Sequence, residues 1–209
     1  MIKNKLFLVG YKVFFALLGF SAIVTEMVVT LERGTFNPAN FFSYFTIEIN
    51  TLAFITFLLS AGVLISGKAR KWLDTLRSIT TVYILIVGIG FAVLLAGLEN
   101  VALTAVPWDN TVLHYIIPAA VLIDFLIDRP RRKISFKSGL VWVTFPLLYA
   151  AYSLVRGNLV GWYPYPFLNP SLHGIAPVAI AIAGLTVLGL ILVFVITWFT
   201  RLGTTKAKK

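Results

Sequence analysis

Two residues that could supply a nucleophile and its base lie far apart in the chain but in matching surroundings: Thr46, within FFSYFTIEINT (41–51), and His114, within TVLHYIIP (111–118). A threonine hydroxyl is a weak nucleophile at neutral pH until a base takes its proton, and histidine is the usual side chain for that task. Ser43, Glu48 and Asn50 share the first stretch, and His173 stands much further along. All of them interrupt strongly apolar sequence. In hydrocarbon a polar side chain must find a partner, face a neighbouring helix or line a cavity, so such a cluster marks a candidate site.

Helical spacing sorts these residues by face. Residues three and four apart share a side, which puts Ser43, Thr46 and Asn50 on one stripe and Tyr44, Glu48 and Thr51 on a roughly opposite one. Asn50 is therefore the same-helix assistant to Thr46: it could orient a substrate carbonyl or donate to a developing oxyanion, or simply bond a neighbouring helix. For Glu48 two readings stay open, a partner on another helix or service to the site through a raised pKa. Pro118 follows His114 by four positions and has no N–H for the carbonyl of residue 114, so the helix is expected to loosen beside the histidine. Asp124 is ten residues past His114, about 15 Å along a helix, too far to orient the imidazole. It reads instead as a partner for a basic residue at the inner membrane surface.

The elements that must carry these side chains follow from composition. The 209 residues are 59% hydrophobic and only 12% charged, which excludes an ordinary soluble domain. A membrane-spanning helix needs about 20 apolar residues. Six such spans are predicted, at about 6–29, 42–66, 77–98, 111–127, 139–155 and 174–200, giving an all-α integral membrane protein in one six-helix domain. The basic N-terminus and apolar run to Val29 lack an A-x-A cleavage site, so this stretch is read as a retained first helix. Small residues repeat at four-residue spacing in Gly62 and Ser66 and in Ala92 and Ala96, a pattern that permits close helix packing.

The net charge of +10 is concentrated at one set of helix ends. The segments GKARKW (67–72) and DRPRRK (128–133), the N-terminus and the C-terminal tail hold nearly all the basic residues, while the opposite ends hold only Arg33 and Arg156. Positive-inside topology then places both termini in the cytoplasm and Thr46, Glu48, Asn50, His114, His173, Glu26 and Glu99 in one layer near the outer surface. The basic loops fit general charge anchors against an anionic leaflet better than a specific lipid site. Nothing interleaves them with aromatics along an exposed face, so nucleic acid is not an expected partner. The outer loops differ, being rich in Pro, Asn, Gly and aromatics. Trp108, Trp162, Tyr163 and Tyr165 fall where amphipathic rings anchor at headgroup level, although WYPYPFLNP is stiff enough to form a cap over the helix ends.

Three stretches, SYFTIEIN (43–50), LHYIIPAAVLID (113–124) and GWYPYPFLN (161–169), together with helix number and order over nearly the whole chain, resemble the six-helix membrane proteins of the androgen-induced and androgen-dependent regulator type and their smaller bacterial relatives. The animal members are threonine hydrolases that cleave fatty acid esters of hydroxy fatty acids. The resemblance implies a Thr46 nucleophile and a His114 base; the polar residues of the same outer layer, Ser43, Glu48, Asn50 and His173, are the expected substrate-binding neighbours. The resemblance also implies a lipid ester reaching the site from within the bilayer of a bacterial inner membrane. The chain departs from the animal pattern around Thr46, where Glu48 and Asn50 replace mostly apolar neighbours.

Two other classes compete. His114 and His173 with Glu48 or Glu26 could supply metal ligands, but no H-x-x-x-H or H-E-x-x-H spacing is present. A non-enzymatic lipid-binding or transport protein could line a polar route with Glu48, Asn50 and Asp124, though no internal repeat supports a transporter plan. No cofactor is expected: there is no glycine-rich phosphate loop, and the two histidines lie far apart. With no cysteine, thiol chemistry is excluded.

Overall fold

The computed structural model describes residues 4–98, 104 and 106–202; Glu99, placed in the outer layer by sequence, lies outside them. Among the described residues six helices are long and apolar enough to cross a membrane: α1 (Lys5–Glu32), α2 (Phe45–Ser66), α3 (Lys71–Leu94), α4 (Pro107–Ile127), α5 (Phe136–Val160) and α6 (Ile175–Leu202). The architecture is therefore all-α and multi-pass, with large apolar side chains such as Leu17, Val93 and Ile180 facing outward, as a lipid solvent requires. α1 packs most extensively on α2, and α3 lies between α2, α4 and α6. The buried centre includes Ile49, Ala53, Ile84, Leu113, Ile117 and Val193.

Several boundaries differ from the sequence expectation by three to six residues, and two of the helix starts have a local cause. α2 begins at Phe45 rather than near 42, because Asn37 and Pro38 start a separate turn, Pro38–Phe41, capped by the Asn37 side chain. α3 begins at Lys71 rather than 77, only four residues after α2 ends. Gly67 permits that short link by adopting a left-handed conformation with φ 71°. Arg77, at the expected start of this span, lies a turn and more inside the helix. It turns inward, where Asp124 and Asp128 receive it.

The resulting charge cluster fixes the basic end of the bundle. Lys12, fully buried, pairs with Asp124 and, at 3.0 Å, with Asp128. Arg77 pairs with the same two carboxylates at 2.9 and 3.2 Å and also donates to the Asp128 carbonyl. Two cations and two anions from α1, α3, α4 and its C-terminal cap thus neutralise one another. Each would be prohibitive alone in hydrocarbon.

Prolines inside two helices leave carbonyls without backbone donors, and neighbouring helices supply replacements. Pro146 in α5 cannot serve Trp142, whose carbonyl instead accepts from the Tyr83 hydroxyl of α3 at 2.6 Å. Pro118 has a larger effect, described below. The small-residue repeats do not mediate packing: Gly62, Ser66, Ala92 and Ala96 are all exposed, and a Cβ at Gly62 would meet nothing within 4 Å. Close approach occurs instead at Gly88, where a Cβ would lie 3.0 Å from the Pro118 side chain and 3.2 Å from the His114 carbonyl.

Candidate functional site

Thr46 is the second residue of α2, so its backbone N–H is among those a helix start leaves unsatisfied. Tyr44 at the N-cap provides no side-chain bond. Two tyrosines from elsewhere take over. The Phe45 N–H donates to the Tyr149 hydroxyl of α5 at 3.2 Å, and Tyr149 donates in turn to the Ser43 carbonyl at 2.8 Å. The Thr46 N–H donates to the hydroxyl of Tyr165 at 3.1 Å. Tyr165 comes from the loop before α6, which the tight run of Trp, Tyr and Pro bends down onto the α2 start. Its ring stacks on Phe167 at 5.2 Å and meets the Tyr44 ring at 5.7 Å, while Tyr163 fills the space above Gly157 that a Cβ would occupy.

His114 reaches the same point from α4. Over Val112–Ile116 the helix widens to a π turn, closed by the Ile117 N–H donating to the Val112 carbonyl. In that register Pro118 falls opposite Leu113, and it has no N–H to give. The Leu113 carbonyl is thereby left without a helical donor. The Asn50 amide donates to it at 3.2 Å, and also to the Thr46 carbonyl at 2.9 Å. Asn50 thus ties α2 to the widened turn, and both of its N–H groups are committed to backbone. Its Oδ1 is buried without a protein partner among the described residues.

The two expected residues come together. Thr46 Oγ1 lies 3.2 Å from His114 Nε2, with Thr46 8% and His114 4% exposed. The Phe91 ring stacks on the imidazole at 4.0 Å between centroids, holding its plane. His114 Nδ1 lies 3.1 Å from the Asn110 carbonyl, which can only accept, so in the neutral ring Nδ1 carries the proton and Nε2 offers its lone pair to the threonine. Tyr165 sits 3.1 Å from Thr46 Oγ1 as well as from Thr46 N. Since its oxygen already accepts from the N–H, its own proton points to Oγ1. The chain of donors runs Tyr165 to Thr46 to His114, and from the far side of the ring to Asn110. Burial pushes the Tyr165 phenol up to about 12, so it remains a donor throughout the neutral range.

The other sequence-predicted site residues lie elsewhere. Ser43 precedes α2, and its hydroxyl bonds the Ala39 carbonyl and the Tyr152 hydroxyl, holding the turn. Glu48 is half-buried on the opposite face of α2, with one carboxyl oxygen lacking a protein partner among the described residues. His173 is exposed at the end of a short turn, Pro170–His173, and does not line the cavities at Thr46. Among the described residues neither histidine joins a cluster of three or more His, Asp or Glu side chains. Tyr165 is the residue that sequence reasoning missed as a site group; it read as a headgroup anchor. The signal that could have found it is the stiffness of WYPYPFLNP, which fixes where each ring of that loop lands.

Two cavities meet at this point, and Thr46, His114, Tyr165 and Leu95 line both. One, about 80 Å³, is walled by apolar side chains of α3, α5 and α6, among them Ile86, Phe91, Leu147, Ile182 and Leu185. The other, about 460 Å³, lies at the loop end and is lined by polar groups including Glu26, Arg33, Asn37, Asn40 and Asn169. A hydroxyl held against an oriented imidazole, between an apolar slot and a polar chamber, can attack an electrophilic carbonyl of an amphiphile.

The fold and this centre define a class: a six-helix membrane protein with a buried threonine–histidine pair at one end of the bundle. No family model, curated protein or solved structure matches the chain.

Proposed function

We propose that the protein is an intramembrane lipid-ester hydrolase in which Thr46 is the nucleophile and His114 the general base. The observation that carries this reading is the 3.2 Å contact between Thr46 Oγ1 and His114 Nε2, with Nδ1 turned to the Asn110 carbonyl. In the reaction His114 removes the hydroxyl proton as Oγ1 attacks the ester carbonyl. The tetrahedral intermediate collapses when His114 returns that proton to the departing alcohol, leaving an acyl-threonine. Water, deprotonated by His114, then attacks the acyl carbon, and the same proton passes to the departing Thr46 Oγ1 as the fatty acid is released. The Tyr165 hydroxyl, 3.1 Å from both the nucleophile and its backbone N–H, is the donor nearest the developing oxyanion.

The apolar slot suits an acyl chain, and the polar chamber suits the alcohol part and the incoming water. The likeness of the three quoted stretches to the androgen-induced and androgen-dependent regulator type extends the reading to fatty acid esters of hydroxy fatty acids. The distribution of basic residues supports both termini on the cytoplasmic side of a cell membrane, with the site near the outer surface.

The test is ester cleavage by the purified protein on a fluorogenic long-chain ester and on a fatty acid ester of a hydroxy fatty acid. Thr46→Ala and His114→Ala are each expected to lower turnover by about 10³-fold or more while the protein stays monodisperse. Wild-type turnover in either variant refutes the assignment. Lipid binding without turnover in the wild type would favour a carrier instead.

A further inference from the structure

A separate cavity, about 350 Å³, lies at the opposite, basic end of the bundle, between the start of α1, the α2–α3 link and the segment after α4. Sequence alone reads these basic residues as diffuse charge. The fold gathers them: Lys5, Arg70, Arg77, Arg129 and Arg131 line the cavity together with two carboxylates, Asp74 and Asp128. Both carboxylates are already engaged. Asp128 pairs with Lys12 and Arg77, and Asp74 accepts the backbone N–H groups of Arg131 and Arg132 at 3.2 and 3.0 Å. With Lys12 and Arg77 matched by Asp124 and Asp128, the cations Lys5, Arg70, Arg129 and Arg131 face Asp74 as the other carboxylate of the lining, so the cleft keeps a net positive charge. Lys5 gives one proton to the Ile65 carbonyl at 3.1 Å and retains two; Arg129 lies over the Phe199 ring at 4.5 Å. Arg77 Nε is buried with no partner among the described residues.

The same cavity has apolar walls, formed by Leu8, Leu64 and Leu73, at the ends of membrane-spanning helices. Ile65 and Trp72, next in sequence to the lining Leu64 and Leu73, are exposed at the ends of α2 and α3, where the chain–headgroup boundary of a bilayer is expected. A cationic pocket continuous with an apolar wall at that depth matches one ligand chemistry, a phosphate group attached to acyl chains.

We propose that this cleft is a binding site for the phosphate headgroup of an anionic phospholipid, distinct from the Thr46 site. Arg70 and Arg131 supply the uncommitted cations, and the leucine wall takes the first carbons of a chain.

The test is native mass spectrometry of the delipidated, full-length protein titrated with phosphatidylglycerol, phosphatidylcholine or inorganic phosphate. The comparison is between R70Q/R131Q in the cleft and K133Q/K137Q, which removes equal charge from exposed positions outside it. Phosphatidylglycerol is expected to bind the wild type at least about tenfold more tightly than phosphatidylcholine. R70Q/R131Q is expected to lose about 25-fold of that affinity, about fivefold per cation, and K133Q/K137Q less than about threefold. Equal losses in the two double variants, or no preference between the two lipids, overturn the proposal. Saturation by millimolar inorganic phosphate that blocks phosphatidylglycerol without itself showing lipid selectivity overturns the lipid assignment in favour of a free-anion site. R131Q alone, expected to lose about fivefold, serves if the double variant does not fold.

Discussion

Replacing Tyr165 by Phe removes one oxygen from the middle of the donor chain and keeps the ring that stacks on Phe167. That oxygen makes two bonds of 3.1 Å, one accepted from the Thr46 N–H and one given to Thr46 Oγ1. Losing the first leaves a buried helix-start N–H without an acceptor, a cost of about 1–3 kcal/mol in stability. Losing the second frees the Thr46 hydroxyl in the resting state, which by itself would leave its attack on a carbonyl undiminished. The kinetic consequence therefore depends on whether the phenol also serves the transition state. As an oxyanion donor, its removal should lower kcat by about 10²-fold, roughly 3 kcal/mol, with KM changed little. The assay is steady-state ester cleavage in detergent micelles at fixed surface concentration, run beside urea unfolding of the same preparations. A Tyr165→Phe enzyme with kcat within about threefold of wild type but reduced stability would show that the phenol only caps the helix, and the oxyanion assignment would fall.

Other expectations follow from the same coordinates. Asn50→Leu should cost about 2–4 kcal/mol by orphaning the Leu113 carbonyl and unlinking α2 from the widened turn, read as a lower unfolding midpoint. Gly88→Ala drives a Cβ against Pro118 and the His114 carbonyl and should destabilise by about 1–3 kcal/mol, with turnover falling because the histidine is displaced. At the other end Asp124→Asn strips charge from buried Lys12 and Arg77 and should lower the yield of folded protein sharply, about 3–5 kcal/mol; partial rescue by Lys12→Met in the double variant would trace the loss to the unpaired charge. The Tyr165 phenol, raised by burial to about 12, keeps a proton that the unfolded chain releases near pH 10. Its stabilising effect is complete below pH 10 and is lost as pH rises to about 12. Wild type should lose more stability than Tyr165→Phe across that window in denaturant titrations at stepped pH.

Helix number and type were legible because hydropathy over about 20 residues reports burial in lipid directly. Boundaries were less legible. The third span was expected to start at 77, the position of Arg77, and only the carboxylates of Asp124 and Asp128, dozens of positions away, make its burial inside the helix tolerable. The pairing of Thr46 with His114 was anticipated from depth and residue chemistry, and they do come within hydrogen-bond reach. Asn50 was assigned to the correct stripe, and of its two expected roles the bond to a neighbouring helix is the one formed, to the Leu113 carbonyl. Pro118 pointed to a loosened helix beside His114, but not to its form: a π turn shifts the hydrogen-bond register by one residue and leaves the Leu113 carbonyl to Asn50. Ser43 and His173 were included for their chemistry, while local turns hold one in the α2 approach and leave the other exposed.

By itself the sequence determined that this chain is a bundle of six apolar helices, that its charge gathers at one end, and that Thr46 and His114 lie in the layer farthest from it. Those properties are set by composition and by periodicity along single segments. Tertiary structure alone decided that Tyr165 bonds the threonine, that Asn50 serves the backbone, and that scattered basic residues close around one cleft. Each depends on contacts between segments distant in sequence, whose geometry a proline, a π turn and a stiff aromatic loop set through packing.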